Sequence, residues 1–228
     1  MTTPWWRHHF DETYLRLHGH RFPEAGHRRE VAAALDMLGL PLGSHVLDLP
    51  CGWGRHANLI SEAGQEVVGA DLSATFLAQA AEDGHARGLA SRFAAADLRA
   101  LPFRDGSFDA VVNLHSSLGL FLDDREDVRA LAETRRVLRP GGRLLVETMH
   151  RDDVVRHYAP RDSWRLADGT EVRVRRRFDP SGRKGRRAAP SASGTPPSWP
   201  ACWRPQACGR PCGWAAGTVR RSTPVRPG

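Results

Sequence analysis

The sequence predicts an α/β fold built on an open, doubly wound parallel sheet. Three observations carry this: five short apolar runs recur between residues 46 and 147, helical stretches alternate with them, and several runs end in an acid or a glycine turn. The first run, in VLDLPCGWG (46–54), has Val46 and Leu47 suited to a strand covered on both faces. Gly52 and Gly54 then let the backbone turn sharply and approach a ligand before a helix opens near Arg55. A strand, a glycine turn and a helix N-terminus together form a nucleotide-type pocket. The order D-x-P-C-G-x-G puts Asp48 where a pyrophosphate would be repelled, so the turn suits a cofactor with a cationic end.

The second run, Glu66 to Ala70, ends in Asp71, about twenty residues past the turn, a position from which a carboxylate reaches ribose hydroxyls. The third, Arg92 to Asp97, leads into the loop Leu98 to Asp105. The fourth, Phe108 to Leu114, precedes His115, Ser116 and Ser117, and the fifth, Arg143 to Glu147, follows Pro140-Gly141-Gly142. A long helix over Glu30 to Leu38 comes before the first strand. In such sheets ligands lie beyond the carboxyl ends of the strands, where Asp48, Asp71 and Asp97 all fall.

With these elements in place, the chain resembles the class I S-adenosylmethionine-dependent methyltransferases of the small-molecule type. The resemblance rests on VLDLPCGWGRH (a D-x-P-C-G-x-G-R-H variant with Pro50 at the commoner glycine), VVGADLS, AADLRALPF with FDAVVNLHSSLG, and LRPGGRLLVE, and covers about Arg28 to Glu147. It implies a Rossmann-like sheet, S-adenosyl-L-methionine as cofactor, and transfer of a methyl group to a small-molecule acceptor by in-line displacement. It also implies that Asp48 and the turn Pro50, Cys51, Gly52 and Gly54 hold the methionine end. Asp71 would bind the ribose, Leu72 and Leu98 would lie beside the adenine, Asp97 would accept from the adenine amine, and Asn113 and Leu114 would line the sulfonium side. Where the acceptor must lose a proton, His115 and His150 are the candidate bases. Family sheets finish with a sixth and an antiparallel seventh strand, for which nothing after Phe178 is a candidate. Glu171 to Phe178 alternates like a strand of an accessory sheet. The fold is therefore expected to lack its last two strands, leaving the fifth with an open edge.

Four segments follow. Residues 1–27, with Trp5, Trp6, Phe10 and Tyr14, form an N-terminal segment that either folds over the pocket, so that its Tyr14 and the later His115 line the acceptor site, or staples onto the sheet. Residues 28–150 form the cofactor-binding core, 151–180 an accessory region and 181–228 a tail. His8, His9, His18 and His20 have no partner at ligand spacing, so no metal is expected. With no run of 18 apolar residues and no signal peptide before Pro4, the reading is a soluble, cytoplasmic chain without a membrane partner.

The net charge of +7 over 228 residues belongs to the tail: all 26 acids precede Ser181, while nine of the 33 basic residues follow it. The tail lacks Leu, Ile and Phe and holds eight of the sixteen prolines, so it offers no material for a core. It reads as a basic arm for nucleic acid or anionic membrane, or as coding sequence displaced from its frame. Cys202, Cys208 and Cys212 lack the fourth ligand of a zinc site. The near-neutral core and the sequence Asn113-Leu114-His115-Ser116, in place of N-P-P-[YF], argue against nucleic acid as substrate. Two alternatives stay open: a cofactor-binding remnant without turnover, and nucleic-acid binding through the tail.

Overall fold

Leading from the N-terminus, helices α1 (Trp6–His9) and α2 (Glu12–His18) and a 3-10 turn (Gly19–Arg21) precede α3 (Glu24–Leu38). The structure, a computed structural model, describes residues 6–115, 117–121, 123–175 and 215–217. Helix α3 begins six residues earlier than the sequence indicates: Pro23 fixes its start, Glu24 faces the positive helix end, and Gly26 is absorbed within it. It ends at Gly39, whose left-handed backbone (φ 52°) lets its N–H bond back to Leu35 and Asp36.

Strand β1 (His45–Asp48), α4 (Arg55–Glu62), β2 (Glu66–Asp71), α5 (Ala74–Ala86), β3 (Arg92–Ala95), β4 (Phe108–Asn113), α6 (Asp124–Val137) and β5 (Leu138–Val146) build the expected parallel sheet. The strand order β3-β2-β1-β4-β5 puts β1 at the centre, paired in parallel with β2 and β4. Val46, Leu47, Val111, Val112 and Leu145 are fully buried, which accounts for unbroken apolar runs in place of alternation. Leu47, Leu49, Ala70, Leu101, Phe108, Val137 and Leu138 form one core. Strand β3 stops at Ala95, so Asp97 lies beyond the strand tip and not on it.

The loop between β3 and β4 is tied down by Arg136 at the end of α6. Its guanidinium donates to the carbonyls of Leu101 (2.9 Å) and Phe103 (2.7 Å) and to Glu133 and Asp105. Arg136→Ala removes these bonds together and is expected to cost about 1–3 kcal/mol, read as a lower urea midpoint with an unchanged slope.

Beyond β5 come α7 (Arg151–Arg156) and the antiparallel hairpin of β6 (Arg161–Arg165) and β7 (Glu171–Arg175), the accessory strand expected from its alternation. A three-residue strand, β8 (Ala215–Gly217), pairs antiparallel with Leu144, Leu145 and Val146 of β5. No strand was expected from the tail, and this segment corrects that: sheet pairing needs only main-chain N–H and C=O groups, which small residues supply, and an open edge offers the matching row. The rest of the tail, including its cysteines and basic residues, lies outside the described residues.

The chain divides into two units, one of residues 23–147 with β8 and one joining residues 6–22 to 148–175. In the second, the Trp164 Nε1 donates to the Leu17 carbonyl (2.9 Å), and the Arg21 guanidinium stacks on the Trp164 ring while pairing with Asp162 (3.1 Å). The N-terminal helices are thereby fastened to the hairpin. Tyr14 packs among the rings of His9, Phe10 and His18. His150 is exposed at the start of α7, its carbonyl accepting from the Val154 N–H. Among the described residues no helix is long and apolar enough to cross a membrane.

Candidate functional site

The glycine turn is held from three strands at once. The Leu49 N–H donates to the Val112 carbonyl and the Cys51 N–H to the Ala70 carbonyl, each at 2.9 Å, so the turn continues the pairing of β1 with both neighbours. Pro50 follows a cis peptide bond. Asp71 ties the first two turns together: one carboxylate oxygen accepts from the Gly52 N–H and the other from the Ser73 N–H, both at 2.9 Å. Burial pushes the Asp71 carboxyl up, and these N–H bonds oppose it. Gly54 caps α4 in a left-handed conformation (φ 80°) directly against Ala80 of α5.

Beneath the turn lies Asp48, 1% exposed. Burial raises its carboxyl to about 8, against the pull of the Arg55 charge and a bond from the Ala57 backbone; Asp71 adds to the rise. Asn113, also buried, donates to the Leu49 carbonyl at 2.8 Å. Among the described residues, neither Asp48 Oδ2 nor Asn113 Oδ1 has a hydrogen-bond partner. Unsatisfied buried acceptors of this kind are uncommon and need an explanation, for which a ligand donor is one. Leu114 is buried, Leu72 is partly exposed beside Asp71, and Leu98 packs against the core.

Asp97 is the candidate whose surroundings differ most from expectation. Arg99 grips its carboxylate through Nε (2.9 Å) and an Nη (2.6 Å) and donates its own backbone N–H to it; the same guanidinium pairs with Glu126. An adenine amine would have to share an already neutralised group.

The same unit gathers a second constellation that sequence reasoning missed. Glu30 of α3, His56 of α4 and His115 after β4 converge: Glu30 Oε2 lies 2.9 Å from His56 Nε2 and 3.3 Å from His115 Nε2, and the two ring nitrogens are 3.2 Å apart. His27, one turn before Glu30, joins Glu30 and His56 in a group whose ligand-type atoms lie within 4.8 Å of one another. Its Nε2 receives a bond from Arg55 (2.9 Å), whose guanidinium stacks on Trp53. His115 adopts a left-handed backbone (φ 65°), uncommon for a residue with a side chain, and its N–H is held by Glu147 (2.8 Å).

Burial lowers all three histidines, His27 to about 4, with the Arg55 charge adding to the effect. Burial alone would raise Glu30, but bonds from His115 and His56 outweigh it and hold the carboxylate ionised. Neutral imidazoles face a carboxylate. Of the two histidines expected as bases, His115 lies in this unit and His150 in the other. A signal for the cluster was present: His27 and Glu30 stand three apart on one helix face, and His56 directly follows the G-x-G-R turn.

Comparison with known proteins agrees with this architecture. Residues 46–142 match a family model described as a methyltransferase domain. The demethylmenaquinone methyltransferase of Thermus thermophilus is 44% identical over 121 residues, covering 52% of this chain and 51% of that protein. The glycine/sarcosine N-methyltransferase of Halorhodospira halochloris is 35% identical over 116 residues, 50% of this chain and 43% of its own length. The chain thus spans about half the length of these curated relatives. The crystal structure of the PH0226 protein from Pyrococcus horikoshii OT3 superposes with a TM-score of 0.57 at 27% identity, covering 72% of this chain and 82% of that one. With the parallel sheet and the glycine turn between β1 and α4, residues 46–142 match a methyltransferase domain in both sequence and fold.

Proposed function

We propose that this core binds S-adenosylmethionine across the carboxyl ends of β1, β2 and β4 and delivers its methyl group to a small-molecule acceptor. The observation that carries the reading is the pair of buried acceptors without partners, Asp48 Oδ2 and Asn113 Oδ1, at the edge of a glycine turn. A cofactor that ends in an ammonium group and carries a cationic sulfur fits such acceptors, whereas a pyrophosphate does not. When bound, it supplies an electrophilic methyl group.

The chain's own work is then binding and orientation. Asp71, with each oxygen already accepting one N–H, retains lone pairs for ribose hydroxyls, and Leu72 and Leu98 offer apolar surface to a base. Holding donor and acceptor in line can supply roughly 7–11 kcal/mol of a barrier, so a dedicated base is optional. His115 Nε2 is engaged with Glu30 and His56, and no proton transfer is assigned to it. The relatives named for demethylmenaquinone and for glycine/sarcosine support a small-molecule acceptor and leave its identity open.

Calorimetry of the full chain with S-adenosylmethionine and its demethylated product tests this. One site is expected, weakened roughly 10- to 100-fold by Asp71→Asn, as for loss of hydrogen bonds to a charged group. A folded chain that takes up neither nucleoside overturns the reading.

A further inference from the structure

We propose that His56, His115 and Glu30 form a site for one divalent transition-metal ion of the zinc class, with His27 adjacent as a further ligand. This inference does not rest on the cofactor reading; it rests on where three donor atoms meet.

The two Nε2 atoms and the carboxylate oxygen make a triangle with edges of 2.9, 3.2 and 3.3 Å. Ions of this class hold nitrogen and oxygen donors at about 2.0–2.1 Å, which separates neighbouring donors by roughly 3.3 Å at tetrahedral angles and about 2.9 Å at right angles. The observed triangle spans that interval, so an ion just above its plane would meet all three donors without moving them. Two imidazoles and one carboxylate also match a recurring zinc and iron(II) ligand set. Calcium and magnesium, which take oxygen donors, do not suit it.

The scaffold around the triangle is one that fixes ligands. His56 is buried in the first turn of α4 and Glu30 projects from α3. His115 is held in its unusual backbone conformation by the bond from its N–H to Glu147. Backbone strain of this kind persists where surrounding structure over-determines it, and it concentrates at ligand clamps. Arg55 stands beside the cluster, and its guanidinium donates to His27, outside the triangle. Glu30 and Glu147 offset it. The fourth position is then open either to His27, if Arg55 releases it, or to a ligand oxygen.

The experiment uses the full chain, stripped with a chelator and titrated with Co2+ and then Zn2+ in the absence of any nucleoside. The expected result is one Co2+ per chain with the intense visible bands of a four- or five-coordinate ion, displaced by Zn2+. Glu30→Gln and His56→Gln are each expected to weaken uptake at least 10-fold, while His45→Gln, on a half-buried histidine of β1 that lies beside Glu66 and outside the cluster, leaves it unchanged. X-ray absorption of the zinc-loaded wild-type chain is expected to count two imidazole ligands or more, and needs no variant to fold. Overturning results are no stoichiometric uptake, a zinc spectrum without imidazole ligands, or undiminished binding in both variants at native far-ultraviolet ellipticity. Because no nucleoside is present, failure here leaves the cofactor reading standing, and failure to bind S-adenosylmethionine leaves this one standing.

Discussion

Gly54→Ala is expected to lower the free energy of unfolding by about 2–5 kcal/mol and to abolish cofactor uptake, whereas Gly88→Ala costs about 1–2 kcal/mol and leaves uptake intact. Both glycines have a left-handed backbone, at φ 80° and 67°, so both variants carry the conformational penalty of an L side chain there. What separates them is space. A Cβ on Gly54 would stand 2.7 Å from Ala80 Cβ and 3.1 Å from Ala80 Cα, and it would also press on the Asn58 amide at 3.3 Å, while a Cβ on Gly88 would meet nothing within 4 Å.

Ala80 is fully buried in α5, and its Cα is backbone that no rotamer change can move. Relief therefore requires α4 or α5 to shift, and either shift displaces the turn that Asp71 pins at Gly52. Urea denaturation of the two variants against wild type reads the difference directly. Equal losses would mean that α5 does not approach the turn as described. The comparison matters because it joins stability and binding through one van der Waals contact.

The elements legible in the sequence were those whose signal is local. Val46 and Leu47 announce a doubly covered strand because burial on both faces forbids polar alternation, and Gly52 and Gly54 announce a turn because few other residues adopt those φ values. The placement of Asp71 was legible for the same reason: it stands at a strand tip, which chain direction alone sets. Asp97 shows where such reasoning stops. Its position past β3 was roughly readable, and Arg99, which captures it, stands only two residues on, but the pairing of that guanidinium with Glu126 of α6 is a tertiary fact.

The metal-type cluster is tertiary in the same sense, since Glu30 meets His56 and His115 across separations of 26 and 85 residues. The His27–Glu30 spacing could have flagged it, yet a histidine and a glutamate on one helix face usually form no more than a surface pair. The strand Ala215–Gly217 was hidden for the opposite reason. Main-chain pairing leaves almost no mark on side-chain pattern when the residues are Ala, Ala and Gly.

Asp48→Asn is expected to stabilise the chain increasingly as pH rises from about 4 to 8, by an amount on the order of a few kcal/mol at the top of that range, while weakening cofactor binding. In the wild type, burial holds the carboxyl at about 8 against an ordinary value of 3.8. Between those values the folded chain keeps a proton that the unfolded chain has released, so native Asp48 makes stability fall as pH rises, by up to about 1.4 kcal/mol per pH unit. Above about 8 both states have lost the proton and the slope vanishes. The asparagine variant has no proton to lose, and this component of its pH profile should be flat.

Binding should show the mirror image. A cationic ligand group beside Asp48 favours the carboxylate over the acid, so wild-type affinity for S-adenosylmethionine should climb between pH 6 and 8, by up to about tenfold per unit, until the cofactor's own amine begins to lose its charge. Asp48→Asn should remove that climb. Thermal unfolding and calorimetry at matched pH values check the two halves separately. A variant whose unfolding profile retains the wild-type slope would show that Asp48 is not the group responsible. A retained slope in binding alone would place the cofactor's cation elsewhere. If both halves hold, a buried carboxylate that weakens the empty fold is offset only when its positive partner arrives, which is the stability–activity trade expected of a binding site built into a core.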